Sequence, residues 1–435
     1  MQKPVSLAEW LRLLESRHPK AIDLGLERVS AVWERMGRPR PAGTLVTVAG
    51  TNGKGSTVAY IASMLQALGY RCGTYTSPHV FRYNERVQIQ SEPVTDQALT
   101  EAFSRVEAAC GEISLTYFEF GTLAAFDLMS RAGLEFAVLE VGLGGRLDAV
   151  NILDADCAVI TPIGLDHQEY LGDDREQIGF EKAGILRPGM PLVCTEAEPP
   201  GSVLQAAARL NCPVWRLGHE IRVIIGAEGL TWCLENRCIE LPRPPMPGPH
   251  QVNNLAAAVG VVARLLPQSL QQADVLAAGI SRVQLPGRLQ ASALKPRVWL
   301  DVGHNAHAAQ AVAQAFKSMN SAPRYCVLAM LRDKDAQAVA AELDSLVDTW
   351  CCAGLEGDRG RSGEELARTI SRVVAPRKVL TFPEVAAALE YALQETEKDT
   401  IGAQWSGNRA EPRILVFGSF VTVGLAEAFL SDIRD

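Results

Sequence analysis

The sequence predicts an α/β fold, a doubly wound and mostly parallel sheet followed by a smaller α/β domain. Three observations carry that prediction. Strand-like and helix-like runs alternate along almost the whole chain, one strand breaks into a glycine-rich loop that restarts as a helix, and Pro and Gly interrupt the alternation once before it resumes. Such alternation implies parallel strands whose connecting helices cover both faces, with ligands gathering at the strand C-terminal ends.

The elements follow in order. After a helical N-terminal stretch, Leu45 to Ala49 forms a strand, a helix runs to about Leu68, and Cys72 to Thr76 forms the next strand. Further strands are Phe136 to Val141, Cys157 to Thr161 and Pro191 to Thr195, with helical patterns at Phe118 to Met129 and Arg175 to Leu186. Leu230 to Leu241 (LTWCLENRCIEL) alternates as a hairpin, and the Pro-rich run Pro242 to Pro249 leads into a helix from His250 to Leu266. Leu285-Pro286-Gly287 through Lys295-Pro296 breaks the pattern. Beyond it come a strand Arg297 to Val302, a helix Ala308 to Met319, a strand Tyr325 to Leu331, a helix Gln337 to Val347 and a last strand Ile414 to Phe417. Residues 1–287 are thus expected to form one domain, 288–296 a linker and 297–435 a second domain, each large enough for its own core. A chain of 435 residues is too long for a single ordinary core in any case.

Composition narrows the function classes. A net charge of −8 disfavours a broad nucleic-acid surface, so an anionic ligand must be held by local groups. No apolar run approaches the roughly 20 residues of a spanning helix, and no leader-like segment follows Met1. A soluble, cytoplasmic protein is expected, with no membrane or nucleic-acid partner. The ten cysteines are scattered through apparent strands and helices, resemble buried small apolar residues and show no metal-site spacing. Cys351-Cys352 reads as strand filler.

The stretch VTVAGTNGKGST, Val46 to Thr57, carries the chemistry. Glycines let successive backbone N–H groups converge, the following helix offers its partly positive N-terminus, and Lys54 adds a full charge, which suits a polyphosphate. The spacing departs from the usual phosphate loop, with Val48 and Gly55 where Gly and Ser or Thr are expected, and Ser56 one place late. An ordinary glycine-rich turn with a solvated lysine remains open on this stretch alone. Two other strand ends bear on the choice. Glu140 ends a strand beside a glycine-rich loop and can hold Mg²⁺ directly or through water. The strand ending at Thr161 runs into Gly164-Leu165-Asp166-His167, and a neutral imidazole there can ligate a divalent ion. Read singly, Glu140 is a solvated or paired acid and His167 a hydrogen-bonding surface residue or a cap.

Taken in order, these segments resemble a known family. GTNGKGST, TSPH from Thr76 to His79, LEVGLGGRLDA from Leu139 to Ala149, LDH from Leu165 to His167 and EKAGI from Glu181 to Ile185 are similar to the bacterial dihydrofolate synthase and folylpolyglutamate synthase family, relatives of the Mur ligases. So are DLGLERV from Asp23, SLTYFEFGTL from Ser114, PGR at Arg288, LDVGHNAHAA from Leu300, MLRDKD from Met330 and FGSF from Phe417. The resemblance spans nearly the whole chain. It implies a P-loop-containing, Mur ligase-like central domain plus a smaller Rossmann-like C-terminal domain.

The resemblance also implies an ATP- and Mg²⁺-dependent amide ligase. An acyl carboxylate takes the γ-phosphate of ATP, and the amino group of L-glutamate attacks the acyl phosphate, with dihydropteroate and reduced folates as acceptors. A carboxylate must approach a triphosphate of the same sign, so the site needs cations. Asn52, Gly53, Lys54, Gly55 and Ser56 would hold phosphate, and Ser77, Glu140 and His167 the metal. Lys54, His167 and Lys182 are the catalytic candidates. Lys182 matches a lysine that family members carry as a carbamate, with an unmodified lysine as the alternative. Asn254, with Asn253 as fallback, Arg288, Asp301 and His304 would complete the nucleotide site, while Asp301 also reads as a cap for the helix from Ala306. Ile22, Asp23, Leu24, Gly25, Thr116, Tyr117, Phe118, Glu119, Leu147, Asp148 and Ala149 match dihydropteroate-contacting positions of members that perform both reactions, although Phe118 and Phe120 also fit a helix core.

Three other readings compete. A monofunctional folylpolyglutamate synthase would lack the dihydropteroate set. A Mur-type ligase would carry a nucleotide-sugar domain before the loop, yet only 49 residues precede Gly50, too few for a domain. A nucleotide switch would have no acceptor site. A monomer is the expected state.

Overall fold

The computed structural model describes residues 4–20, 22–319, 322–374, 376–404 and 413–433. The chain divides into two compact units, one of Met1–Pro245 with Val252–Val283 and one of Met246–Gln251 with Gln284–Asp435.

The first unit is built on an eight-stranded sheet. Its strands are β1 (Thr44–Ala49), β2 (Cys72–Tyr75), β3 (Val87–Ile89), β4 (Glu92–Pro93), β5 (Phe136–Glu140), β6 (Cys157–Ile160), β7 (Leu192–Cys194) and β8 (Val214–Arg216), in the order β4-β3-β2-β5-β1-β6-β7-β8. All neighbours from β2 to β8 run parallel, and β3 and β4 add an antiparallel edge. β1 is buried along nearly its whole length, which explains its unbroken apolar and β-branched run. The chain winds from β1 towards β2 and β5, then crosses to β6 and continues the other way. That reversal at β1 is where a wound sheet opens a crevice at its carboxyl ends. Register brings those ends level, with Val48 opposite Glu140 and Ala49 opposite Ile160.

Among the described residues this part of the chain has ten α-helices: α1 (Leu7–Arg17), α2 (Glu27–Arg35), α3 (Lys54–Ala67), α4 (Asp96–Cys110), α5 (Tyr117–Arg131), α6 (Gln168–Leu171), α7 (Arg175–Ala183), α8 (Gly201–Arg209), α9 (Pro249–Leu265) and α10 (Ala273–Ser281). The apolar faces of α1, α2, α4 and α5 meet in one core, where Trp10 stacks edge-on to Phe103 with centroids 5.9 Å apart. Phe120 lies within that core, as its helical spacing suggests. The hairpin expected from Leu230 to Leu241 is present as β10 (Gly229–Leu234) and β11 (Arg237–Pro242), and β9 (Ile221–Ile225) joins it in a separate antiparallel sheet. Cys233 and Cys238 face each other across this hairpin and form a disulfide. That pair departs from the expectation of uniformly buried thiols: the cross-strand register, invisible in the linear spacing, brings the two sulfurs together. The other eight cysteines, Cys351 and Cys352 included, are free and buried.

The second unit carries a six-stranded sheet in the order β12-β13-β17-β14-β15-β16, from β12 (Gln290–Ala291), β13 (Val298–Asp301), β14 (Pro323–Leu328), β15 (Thr349–Ala353), β16 (Lys378–Phe382) and β17 (Arg413–Phe417). Among the described residues only β12 is antiparallel, pairing from within 288–296 onto β13. Helices α11 (Ala306–Ser318), α12 (Ala336–Leu343), α13 (Gly363–Ile370), α14 (Val385–Gln404) and α15 (Phe420–Asp432) complete it. No helix among the described residues is long and apolar enough to cross a membrane.

Candidate active site

β1 ends at Ala49 and the chain turns through Gly50 to Gly53 into α3, whose first residue is Lys54. Gly53 caps the helix at φ 88°, and a Cβ there would lie 2.5 Å from Asn254 Oδ1. Both the left-handed turn and the close approach require glycine. A Cβ on Gly50 would lie 1.7 Å from Thr161 Oγ1. The loop is therefore wedged between the end of β6 and α9. No side chain caps α3, so its partly positive N-terminus faces the loop.

Two lysines converge on one carbonyl. Lys54 Nζ donates to Gly50 O at 3.2 Å and Thr51 O at 3.1 Å, and Lys182 Nζ donates to Gly50 O at 2.8 Å. Glu140 Oε1 lies 4.0 Å from Lys54 Nζ. Lys182 is buried on α7, and desolvation together with the Lys54 charge pushes its pKa down to about 7, against the opposing pull of Asp166 and Asp148. The segment Gly144 to Arg146 clips α7 in place. Arg146 N donates to Glu181 O at 2.8 Å, its Nη2 donates to Glu181 Oε1 at 2.9 Å, and the loop backbone comes so close that a Cβ on Gly145 would meet Glu181 O at 2.9 Å.

The three residues matched to a metal come from three strand ends. Ser77 follows β2, and its backbone N–H donates to Glu140 Oε2 at 3.4 Å. His167 follows β6, in left-handed backbone at φ 51° as the N-cap of α6, without a capping bond from its side chain. Asp166 Oδ1 accepts the His167 N–H at 2.9 Å and lies 4.0 Å from its Nε2. That connection is tied to the phosphate loop, since Thr51 N donates to Pro162 O at 2.9 Å and Thr51 Oγ1 to Gly164 O at 3.1 Å. Among the described residues no three His, Cys, Asp or Glu side chains gather as a metal cluster. A hydroxyl, one carboxylate and one imidazole are a sparse set, which suits a cation that takes its other ligands from phosphate and water.

The positions matched to the acceptor lie around the start of α5. Thr116 and Glu119 form a reciprocal capping box, Thr116 N donating to Glu119 Oε2 at 2.8 Å and Glu119 N to Thr116 Oγ1 at 3.2 Å. The Phe118 ring lies against Gly142, where a Cβ would come within 2.5 Å of it, and Tyr75 is 6.1 Å away by centroids. Unlike Phe120, Phe118 is only partly buried. Asp148 is buried and accepts from Leu143 N at 2.8 Å and Val150 N at 2.9 Å. Desolvation raises its pKa to about 6. Its neighbours Leu147 and Ala149 flank it, and Tyr117 faces Tyr83 edge-on at 5.8 Å. Ile22, Asp23, Leu24 and Gly25 form the partly buried segment between α1 and α2. The Asp23 and Glu119 carboxylates are both engaged by protein groups, Arg28 among them.

Asn254 is buried against Gly53, whereas Asn253 is partly exposed. In the second unit Asp301 accepts from Leu289 N at 2.9 Å and Gly303 N at 2.7 Å, and burial raises its pKa to about 6. It does not cap α11. Asn305 does, accepting from Ala308 N at 2.9 Å, because the loop continues four residues past the strand end. Arg288 lies over the Phe420 ring at 5.2 Å, and His304 Nδ1 is 3.1 Å from Val302 O.

Some residues at the site escape sequence reasoning. Arg86, nine-tenths buried, donates from Nε to His79 Nδ1 at 2.9 Å and packs over the Tyr83 and Tyr117 rings at 5.1 and 5.6 Å. Burial, then the Arg86 charge, lowers the His79 pKa to about 4, so this histidine is neutral near pH 7. TSPH held the only signal for it. DLGLERV contains Arg28 but gives no sign of its role, since its partner Glu119 lies 91 residues away.

Comparison with known proteins bears on the family and the fold. Residues 48–262 match the Mur ligase middle domain and residues 287–407 the Mur ligase glutamate ligase domain. The dihydrofolate synthase/folylpolyglutamate synthase of Escherichia coli (strain K12) is 42% identical over 419 residues, covering 96% of this chain and 94% of its own. The E. coli FolC in complex with DHPP and ADP superposes with a TM-score of 0.88 at 40% identity, over 100% of both chains. The bifunctional enzyme from Yersinia pestis CO92, complexed with AMPPNP and Mn ion, gives 0.88 at 39% identity over 99% of both. With the wound sheet, the lysine-bearing loop and full-length similarity all in agreement, the chain belongs to the dihydrofolate synthase/folylpolyglutamate synthase family of ATP-dependent ligases.

Proposed function

We propose that the protein joins L-glutamate to dihydropteroate at the expense of ATP, and adds further glutamates to the γ-carboxyl of reduced folates. The observation that carries this is the convergence of Lys54 and Lys182 on Gly50 O beside Glu140, at the point where the sheet reverses. A loop lysine there offsets the repulsion between triphosphate and acyl carboxylate, which is the principal electrostatic obstacle to phosphoryl transfer between two anions. Asn52 to Ser56 would hold the phosphates, and Ser77, Glu140 and His167 would hold a divalent cation, which would neutralise charge on the phosphate oxygens.

Lys182 is suited to carry a carbamate. A lysine of lowered pKa presents an uncharged amine near neutral pH, and the modified group is an anion at the same position. On the acceptor side, the partly buried Phe118 offers an aromatic face for a flat pterin, and the places of Leu147, Asp148 and Ala149 rest on the motif match. The places of Asn254, Arg288, Asp301 and His304 in nucleotide binding rest on the motif match. The reading includes a cytoplasmic monomer, and molar mass by size exclusion with light scattering would check the oligomeric state.

The deciding experiment is ADP release by purified protein. It should require L-glutamate together with an acceptor, and proceed with either dihydropteroate or tetrahydrofolate in that role. Turnover with tetrahydrofolate alone would mean a monofunctional folylpolyglutamate synthase. ATP hydrolysis independent of any acceptor would remove the ligase reading.

A further inference from the structure

Resting on that acceptor assignment, we propose that Arg28 is a positioning residue that clamps together two walls of the dihydropteroate pocket, the segment Ile22 to Gly25 and the N-terminus of α5. Arg28 stands on α2, within the DLGLERV segment but outside the set matched to acceptor contacts. Its Nη1 lies 3.0 Å from Asp23 Oδ2, and its Nη2 donates to Asp23 O at 2.5 Å and to Glu119 Oε1 at 3.0 Å. One guanidinium therefore bridges both walls. The bridge continues at each end. His18 Nε2 pairs with Asp23 Oδ2 at 3.2 Å while its Nδ1 meets Ser114 Oγ at 3.0 Å, and Glu119 Oε2 accepts from Thr116 N.

The chemistry points to positioning. Asp23 and Glu119 belong to the acceptor-matched set, yet both carboxylates are turned onto protein donors. What they leave for the ligand is backbone and the neighbouring side chains, held in place by the bridge. A planar fork of five donors can serve two carboxylates at once, which a lysine ammonium on a flexible stem does not reproduce. The Glu119 side chain is only 5% exposed, so without Arg28 a buried carboxylate loses its cation and the walls lose their tie.

The test is steady-state kinetics of Arg28→Met, Arg28→Lys and Glu119→Gln beside the unaltered enzyme. Arg28→Met should raise KM for dihydropteroate about tenfold or more, while KM for ATP stays within about twofold and kcat within about threefold. Arg28→Lys should recover less than half of that loss on a logarithmic scale. Should Arg28→Met fail to fold, Glu119→Gln keeps the helix cap and must raise the dihydropteroate KM alone. An unchanged dihydropteroate KM in the folded variants, or a parallel rise in the KM for ATP, overturns the clamp. An unaltered enzyme with no dihydropteroate-dependent turnover overturns the acceptor assignment and the clamp with it.

Discussion

Lys182 Nζ and Lys54 Nζ donate to the same carbonyl oxygen, that of Gly50, although the two lysines are 128 positions apart in the chain. Two cations facing one acceptor in a buried site repel each other. That repulsion adds to burial in lowering the Lys182 pKa to about 7. The unfolded chain keeps the ordinary value of 10.5 and binds the extra proton between these limits, so stability rises with pH from about 7 to 10.5. Below about 7 the full cost of a buried ammonium is present. In denaturant titrations without CO₂, Lys182→Met should lack this slope, and an equal slope in both proteins would contradict the assignment.

Carbamylation of the same lysine makes activity depend on dissolved CO₂. Lys182→Ala should lose most turnover, and acetate or formate, small carboxylates that fit the vacated volume, should restore part of it. An electron-density map with no atoms beyond Nζ, obtained in bicarbonate, would count against the modification.

Lys54→Ala and His167→Ala should each lower kcat by about 100-fold or more with the fold retained. Circular dichroism checks the fold and ADP release the rate. Near-normal turnover in either protein would remove that residue from the phosphate or metal site. Chelation of divalent ions should stop the reaction in the unaltered enzyme, and Mg²⁺ should restore it.

Gly142→Ala places a methyl group 2.5 Å from the Phe118 ring. The ring must shift, so KM for dihydropteroate should rise about tenfold with the KM for ATP unaffected. Equal KM values for the acceptor in the two proteins would show that Phe118 does not line the pocket.

Asp148→Ala removes the acceptor for the N–H groups of Leu143 and Val150. Leaving both without a partner should cost about 2–5 kcal/mol of unfolding free energy. Because burial raises the Asp148 pKa to about 6, from 3.8 in the unfolded chain, its contribution to stability falls as pH rises between those values. Urea titrations at pH 4 and 7 measure both effects.

The linear sequence determined the sheet architecture and the chemistry of its rim. Period and glycine placement are local properties, so β1, the loop at Gly50 to Gly53 and α3 follow from neighbours in the chain. Motif order then marked Glu140, His167 and Lys182. Short edge elements such as β4, two residues long, hold too little pattern to read. Only the tertiary structure decided which partners those groups meet. It joined Lys182 to Gly50 and Arg28 to Glu119, paired Cys233 with Cys238, and gave the α11 cap to Asn305 instead of Asp301. Hydrogen bonds and charge pairs depend on separations of a few ångströms, and those are set by strand order and helix packing between residues distant in the chain.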